Sequence, residues 1–229
     1  MKTYFEKQYS ILDQSESENG LYTLGPMASF TWNTDPKRLL FVLSRYKFAA
    51  KMLEGCDKVI EIGCGDGFGS RIVRQHVNSL LLTDADPRMV AFTMRTQHKH
   101  YSIDATCHNF VSDRLECTTR FDGAYLLDVL EHIPSRDEEA FFHNLLAILS
   151  SDARVIIGMP SLESQVYASA GSKAGHVNCK SREQLGADLK SFFCVVTLFS
   201  MNDEVVHTGF GPMANYIFAV CSLPRKTHY

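Results

Sequence analysis

Glu61-Ile62-Gly63-Cys64-Gly65-Asp66-Gly67-Phe68-Gly69 follows directly on the apolar run Lys58-Val59-Ile60. Glycines crowded at a strand end let the backbone turn tightly and bring main-chain N–H groups close to a ligand. A nicotinamide-type loop asks for glycine at offsets 0, 2 and 5. Counted from Gly63 the third place is Phe68, and counted from Gly65 it is Ser70, so that pattern does not fit. A glycine-rich turn with no ligand is the plainer reading. Against it stands Glu61, two residues before the first glycine, which would repel a pyrophosphate but suits a ligand that carries an amino group.

Working outward, apolar runs alternate with helical patterns. Strands are predicted at Lys58–Ile62, Leu80–Asp84, Ala105–Val111, Phe121–Leu127, Ala153–Met159, Phe192–Phe199 and Tyr216–Ser222. Helices are predicted at Ser70–His76, Pro87–His98, Glu138–Leu149 and Arg182–Leu189. A further helix opens at Asp35-Pro36 and stops at Gly55, with Leu39, Val42, Leu43, Tyr46, Ala49 and Met52 at helical spacing. Strands separated by helices pair in parallel through right-handed crossovers, which gives a sheet covered on both faces. No helix separates the last two strands, so they can pair antiparallel at one end. The expectation is an α/β, doubly wound, mostly parallel seven-stranded sheet with an antiparallel terminal strand. Residues 1–57 form an N-terminal helical or lid segment and 58–229 the main domain. Within the segment, 4–19 reads as mixed and polar, and 22–36 as irregular, with Tyr22 and Trp32 available for an aromatic lid.

Asp84 ends the second strand twenty-one residues after Gly63, where a carboxylate can accept both hydroxyls of a ribose. Asp86 competes for that role but lies in the turn before Pro87. Asn109 can read an adenine with its amide, and Phe110 can cover the ring or belong to the core. Taken together these elements resemble the class I S-adenosylmethionine-dependent methyltransferases, whose first motif runs acid-x-Gly-x-Gly-x-Gly. The resemblance spans roughly residues 58–160 and implies a Rossmann-like fold with S-adenosyl-L-methionine as cofactor. Gly63, Gly65 and Gly67 would then line the methionine moiety, with Glu61 bonding nearby backbone or the cofactor through water. Asp84, Ala85, Asn109, Phe110 and Leu127 complete the implied cofactor site.

Asp128-Val129-Leu130-Glu131-His132 follows the fourth strand. If a helical turn begins at Asp128, then Asp128, Glu131 and His132 share one face and could hold a divalent ion. The other reading is a helix start, with Asp128 as N-cap and Glu131 completing a capping-box-like pair. His176, in the loop after the fifth strand, is a fourth candidate ligand at the same sheet edge. The acid-x-x-Glu-His pattern with a later His is similar to the ubiquinone-biosynthesis O-methyltransferases and to the enzymes that methylate the 2′-hydroxyl at small-RNA 3′ ends. That likeness implies a magnesium- or manganese-type ion on Asp128, Glu131, His132 and His176, although the first acid here is Asp where those groups carry Glu. Without a metal, His132 or His176 could act as general base. The expected reaction is O-methylation of a small hydroxylated metabolite such as a sugar or phenol. RNA-terminal 2′-O-methylation, N-methylation and a non-catalytic cofactor-binding subunit remain the alternatives.

Composition narrows the partners. The chain has 229 residues, a net charge of −3 and a pI near 6.3, and no Lys/Arg cluster longer than two. Nucleic acid is therefore not the expected partner, and a small-molecule substrate is. Seven cysteines without a C-x-x-C pair read as reduced thiols. The polar start MKTYFEKQYS lacks the core of a signal peptide, and no apolar run is long enough to span a membrane. The cytoplasm is the expected location.

Overall fold

The computed structural model describes residues 6–96 and 102–225. In chain order the elements are α1 (Tyr9–Asn19), α2 (Pro26–Thr34), α3 (Lys37–Met52), β1 (Lys58–Ile62), α4 (Ser70–Arg74), β2 (Ser79–Asp84), α5 (Pro87–Arg95) and β3 (Asp104–Cys107). They continue with β4 (Phe121–Leu127), α6 (Glu138–Leu146), β5 (Leu149–Pro160), α7 (Ala170–Gly175), α8 (Arg182–Leu189), β6 (Phe193–Asn202), β7 (Val205–His207) and β8 (Tyr216–Pro224).

One eight-stranded sheet runs in the order β3-β2-β1-β4-β5-β8-β6-β7. β1 through β5 pair in parallel, and β8 enters antiparallel between β5 and β6. Seven strands were expected. The extra one, β7, forms a short hairpin with β6 through Met201↔Val206, in a stretch that the sequence presents as a mixed polar loop. β1 reverses its sheet neighbour on either side, to β2 and to β4, so the loop after β1 opens at the point where a doubly wound sheet binds ligands.

Side chains on the central strands alternate between two cores, as the two-residue period of a strand requires. Ile60, Leu126, Val155 and Ile157 face Phe141, Phe142, Leu145, Leu185 and Leu189 from α6 and α8. Val59, Tyr125, Leu127 and Ile156 face Ala49, Ala50, Leu53 and Val73 from α3 and α4. Caps fix the helix starts. Asp86 accepts from Arg88 N at 2.9 Å with Pro87 in the first turn of α5, and Ser181 accepts from Gln184 N at 3.1 Å to open α8.

The N-terminal segment departs from expectation. Residues 9–19 are helical although no side chain of α1 is buried, and 26–34 form α2 where an irregular stretch was expected. Pro26 starts α2, a place where its missing N–H costs nothing. The end of the helix expected to reach His98 lies outside the described residues. No helix among the described residues is long and apolar enough to cross a membrane.

Phe142 is fully buried and stacks on Phe192 with ring centroids 4.5 Å apart. Phe142→Ala is expected to destabilise the fold by about 3–5 kcal/mol. Urea denaturation of the two proteins measures this, and a loss under about 1 kcal/mol would show that α6 is not clamped as described.

Candidate functional site

Below the glycine loop lies Glu61, 1% exposed. Its carboxylate accepts from Tyr46 Oη of α3 at 2.9 Å, from Ser70 Oγ of α4 at 2.5 Å and from Tyr125 Oη of β4 at 2.5 Å. Its protein partners are thus three side-chain hydroxyls, and Glu61 does not line either cavity described below. It holds the underside of the loop. Burial pushes its pKa up to about 7, against the opposing pull of the hydroxyls.

Above it, Gly63 and Gly65 have φ of +74° and +54°, a region that L side chains avoid. A Cβ on Gly63 would fall 2.4 Å from Val129 Cγ2, and one on Gly65 would fall 2.5 Å from Met27 Sδ. Gly67, likewise left-handed, turns away from this cavity and packs beside Thr93. Asp84 meets the loop from the tip of β2. Its Oδ2 accepts from Gly65 N and its Oδ1 from Asp86 N, both at 2.8 Å. The two aspartates therefore separate by role, since Asp86 is spent on the α5 cap and on Arg88.

A cavity of about 310 Å³ is bounded by Gly63, Gly65, Asp84, Ala85, Asn109 and Phe110. Asn109 Oδ1 accepts from Val111 N at 3.0 Å, which orients the amide, and its NH₂ group has no partner among the described residues. Phe110 is 2% exposed and wedged against Phe141, so it is both cavity wall and core. Those residues fit a nucleoside cofactor: a close backbone approach, a fixed carboxylate at ribose reach, and an amide beyond it.

A second cavity of about 430 Å³ shares Met27, Gly63, Gly65, Asp128 and His132 with the first. Leu127 lies here and not in the first cavity. Its walls come from α2 and α3, through Thr31, Arg38 and Val42, and from α7 through Ser172. The N-terminal segment thus roofs the site, and Ala28 N–H anchors it by donating to Asp66 Oδ2 at 2.8 Å. Of the two aromatics considered for a lid, Tyr22 packs against Phe68 and beneath Arg71, while Trp32 is exposed and lines neither cavity.

The floor of this cavity is the turn after β4, and here the sequence reading needs correction. Asp128 is neither an N-cap nor a ligand on the face of a helix. It has φ of +58°, the short 3₁₀ turn starts only at Leu130, and both carboxylate oxygens are held by Arg45 Nη1 at 2.8 and 2.7 Å. Arg45 also lies over the Tyr216 ring at 3.9 Å. Asp128 also stands outside the group of ligand atoms that converge beside it.

Glu131, His132 and His176 do converge, with one ligand atom of each within 4.8 Å of the others. Glu131 is fully buried, and among the described residues neither carboxyl oxygen has a hydrogen-bond partner, the nearest ionisable contact being His132 Nε2 at 3.9 Å from Oε1. Burial, then the charge of Asp128, drive its pKa well up. The backbone carbonyl of Glu131 accepts from Val177 N and Asn178 N, which draws the loop carrying His176 over the turn. His132 Nδ1 lies 2.9 Å from Gly175 O, a carbonyl that can only accept, so Nδ1 carries a proton, and Nε2 faces Glu131 Oε1 at 3.9 Å. His176 Nδ1 lies 2.8 Å from Gln165 Oε1, and the Gln165 amide is oriented because its Nε2 donates to Ser161 O. His176 Nε2 is therefore free among the described residues. Burial, then His132, lower the His176 pKa from its ordinary value; Asp128 pulls the other way and Arg38 adds to the lowering.

Sequence reasoning did not find Arg45, Gln165, Met27 or Thr31. A signal existed for Arg45, which falls between Val42 and Ala49 on the apolar stripe of α3, where a charge needs a partner.

Residues 34–197 match the protein family described as "Methyltransferase domain". No curated protein matches the chain. Among solved structures, the N-methyltransferase NodS from Bradyrhizobium japonicum WM9 in complex with S-adenosyl-L-homocysteine aligns with a TM-score of 0.59 at 15% identity. That alignment covers 96% of this chain and 100% of NodS. The methyltransferase domain of bacterial CtHen1-CN aligns at 0.63 and 16% identity, covering 80% of this chain and 100% of that one. A DhpI–SAM–HEP complex aligns at 0.60 and 14% identity, covering 96% and 99%. At such identities the likeness is one of fold.

Glu61 also yields a pH-dependent prediction. Its folded pKa lies above the usual carboxyl value of about 4.3, so its contribution to stability is full below about pH 4 and is lost as pH rises through 7. Glu61→Gln should remove this component, narrowing the stability gap to wild type between pH 5 and pH 8 by an amount on the order of 3 kcal/mol. Denaturation curves at the two pH values measure it. Parallel pH profiles for the two proteins would contradict the assignment.

Proposed function

The chain belongs to the methyltransferase-domain family, and on that premise we propose that it transfers the methyl group of S-adenosylmethionine to a hydroxyl of a small metabolite. The observation that carries this reading is the junction of the two cavities. One is shaped for a nucleoside cofactor, and it opens beside the buried Glu131 carboxyl group, which makes no hydrogen bond among the described residues, faces His132 Nε2 at 3.9 Å and stands near His176.

In this reading Gly63 and Gly65 lie against the methionine part of the cofactor, Asp84 receives the ribose hydroxyls, and Asn109 and Phe110 take the adenine. Ala85 borders the same cavity. The cofactor supplies a methyl group made electrophilic by its sulfonium. The protein supplies position and a proton acceptor. A hydroxyl must be aligned with the methyl and must shed its proton as it attacks. His176 suits the base role because its lowered pKa favours the neutral ring, with Nδ1–H fixed by Gln165 and Nε2 turned away from that bond. His132, fixed in the same way by Gly175, stands beside it with ring centroids 5.2 Å apart.

The same donor set fits a divalent ion. Glu131, His132 and His176 would hold it, and each imidazole already has a second partner on Nδ1, as metal-bound histidines usually do. Such an ion would supply a positive charge that lowers the pKa of the acceptor hydroxyl. The Glu131 oxygens support this version, because among the described residues they make no hydrogen bond, and a buried carboxyl group left so is costly. Asp128 is left out of the donor set by its pair with Arg45.

The test uses radiolabelled S-adenosylmethionine with matched sets of small hydroxylated and amino compounds. Label is expected in the hydroxylated set. Glu131→Gln and His176→Ala should each lower the rate by about 100-fold or more, with affinity for S-adenosylhomocysteine retained. Calorimetry with magnesium or manganese should show a binding signal in wild type that His176→Ala loses. Transfer to amines alone, or variants as active as wild type, would overturn the reading.

A further inference from the structure

Arg38 is the cation that the cavity leaves unused. Most of the described arginines are bonded or stacked: Arg45 on Asp128, Arg71 on Tyr22, Arg182 on Ser200 and Gly209, Arg225 on Lys190. The Arg38 guanidinium has no hydrogen-bond, ion-pair or ring partner among the described residues; the residue is exposed at the rim, where it lines the acceptor cavity together with His176. It stands in the first turn of α3, which contains no acidic residue, at the helix end where the dipole disfavours a cation. Its position is thus neither rewarded by the helix nor neutralised by a neighbour.

The acids of the same cavity are all engaged elsewhere or distant from solvent. Asp66 accepts from Ala28 N and Phe68 N, Asp128 is paired with Arg45, and Glu131 is sealed at the inner end. Two hydroxyls share the wall with Arg38. Thr31 Oγ1 has no hydrogen-bond partner among the described residues, and Ser172 Oγ accepts from Ser169 Oγ, which leaves its own proton free to donate. These groups come from three separate elements, α2, α3 and α7, and all three are donors. A guanidinium with two hydroxyls is a donor set for an oxyanion, which the planar fork of arginine can grip at two oxygens.

We propose that Arg38, with the hydroxyls of Thr31 and Ser172, forms an oxyanion anchor at the outer end of the acceptor cavity, so that the acceptor is a small hydroxy compound bearing a carboxylate or phosphate group. The inference rests on the methyl-transfer reading for what occupies the rest of the cavity. Held at its anionic end by Arg38, the acceptor presents its hydroxyl to Glu131, His132 and His176. Arg38 acts here in specificity, setting which compounds bind and in which direction they lie.

The experiment titrates the protein, saturated with S-adenosylhomocysteine, with inorganic phosphate and separately with acetate. At least one anion is expected to bind with a Kd of about millimolar order, and the tighter of the two identifies the anionic group. Arg38→Ala should weaken that binding by about tenfold or more, while Lys37→Ala, one residue away and outside the cavity, changes it by no more than about twofold. Affinity for S-adenosylhomocysteine should be the same in all three proteins, which also establishes that the variants are folded. The proposal falls if neither anion binds wild type, if Arg38→Ala binds as well as wild type, or if Lys37→Ala weakens binding equally. If S-adenosylhomocysteine itself does not bind, the methyl-transfer reading fails, and the same anion titrations on the free protein still decide the role of Arg38.

Discussion

A buried carboxylate bonded by hydroxyls from three different elements holds the centre of this molecule. Glu61 sits at the end of β1 and gathers Tyr46 of α3, Ser70 of α4 and Tyr125 of β4 around its two oxygens. A charge removed from water is tolerable only where its acceptor capacity is filled, and an acid at this place therefore selects its neighbours. The consequence is geometric. With α3, α4 and β4 drawn to one point, the loop that follows Glu61 has one path open to it, over the left-handed residues Gly63 and Gly65. Asp84 then closes the loop from the next strand by accepting the Gly65 amide.

The acceptor side depends on a second ion-stabilised point. Arg45, one turn before Ala49 on α3, reaches Asp128 at the end of β4 and fixes that residue in a conformation that non-glycine residues rarely adopt. The helix that supplies a hydroxyl to Glu61 therefore also sets the turn from which Glu131 and His132 project. One helix thus references both halves of the site. α2, tied to the glycine loop by Asp66, adds the roof, so the N-terminal segment is part of the site's architecture and not an appendage to the sheet.

Much of this was legible in the sequence where the physical signal was local. The β1 strand, β4 and α8 lie where apolar runs and caps put them, because those patterns depend on near neighbours alone. Asp84 and the glycines could be picked out because a strand end followed by glycine is informative without the rest of the fold. α1 and α2 were missed since neither carries an amphipathic stripe with a buried face to betray it. β7 was missed because a three-residue strand in a polar hairpin carries almost no periodic signal. The helix-face arrangement expected for Asp128 failed for a different reason. Its competitor, Arg45, is distant in sequence, and an ion pair that decides a local conformation from so far away leaves no trace in the local pattern. Glu131, His132 and His176 do lie near one another in the fold, since the carboxyl edges of β4 and β5 face the same way in a parallel pair.

The central claim is that the β1 loop and the tip of β2 form a cofactor site for S-adenosylmethionine. Calorimetric titration of the wild-type protein and of Asp84→Ala with S-adenosylhomocysteine tests it most directly. The account predicts saturable binding by wild type, weakened about 100-fold or more in Asp84→Ala, because two ribose hydroxyls lose their charged acceptor. Equal affinity in the two proteins would contradict the placement of the ribose, and no binding by the wild-type protein would contradict the cofactor itself.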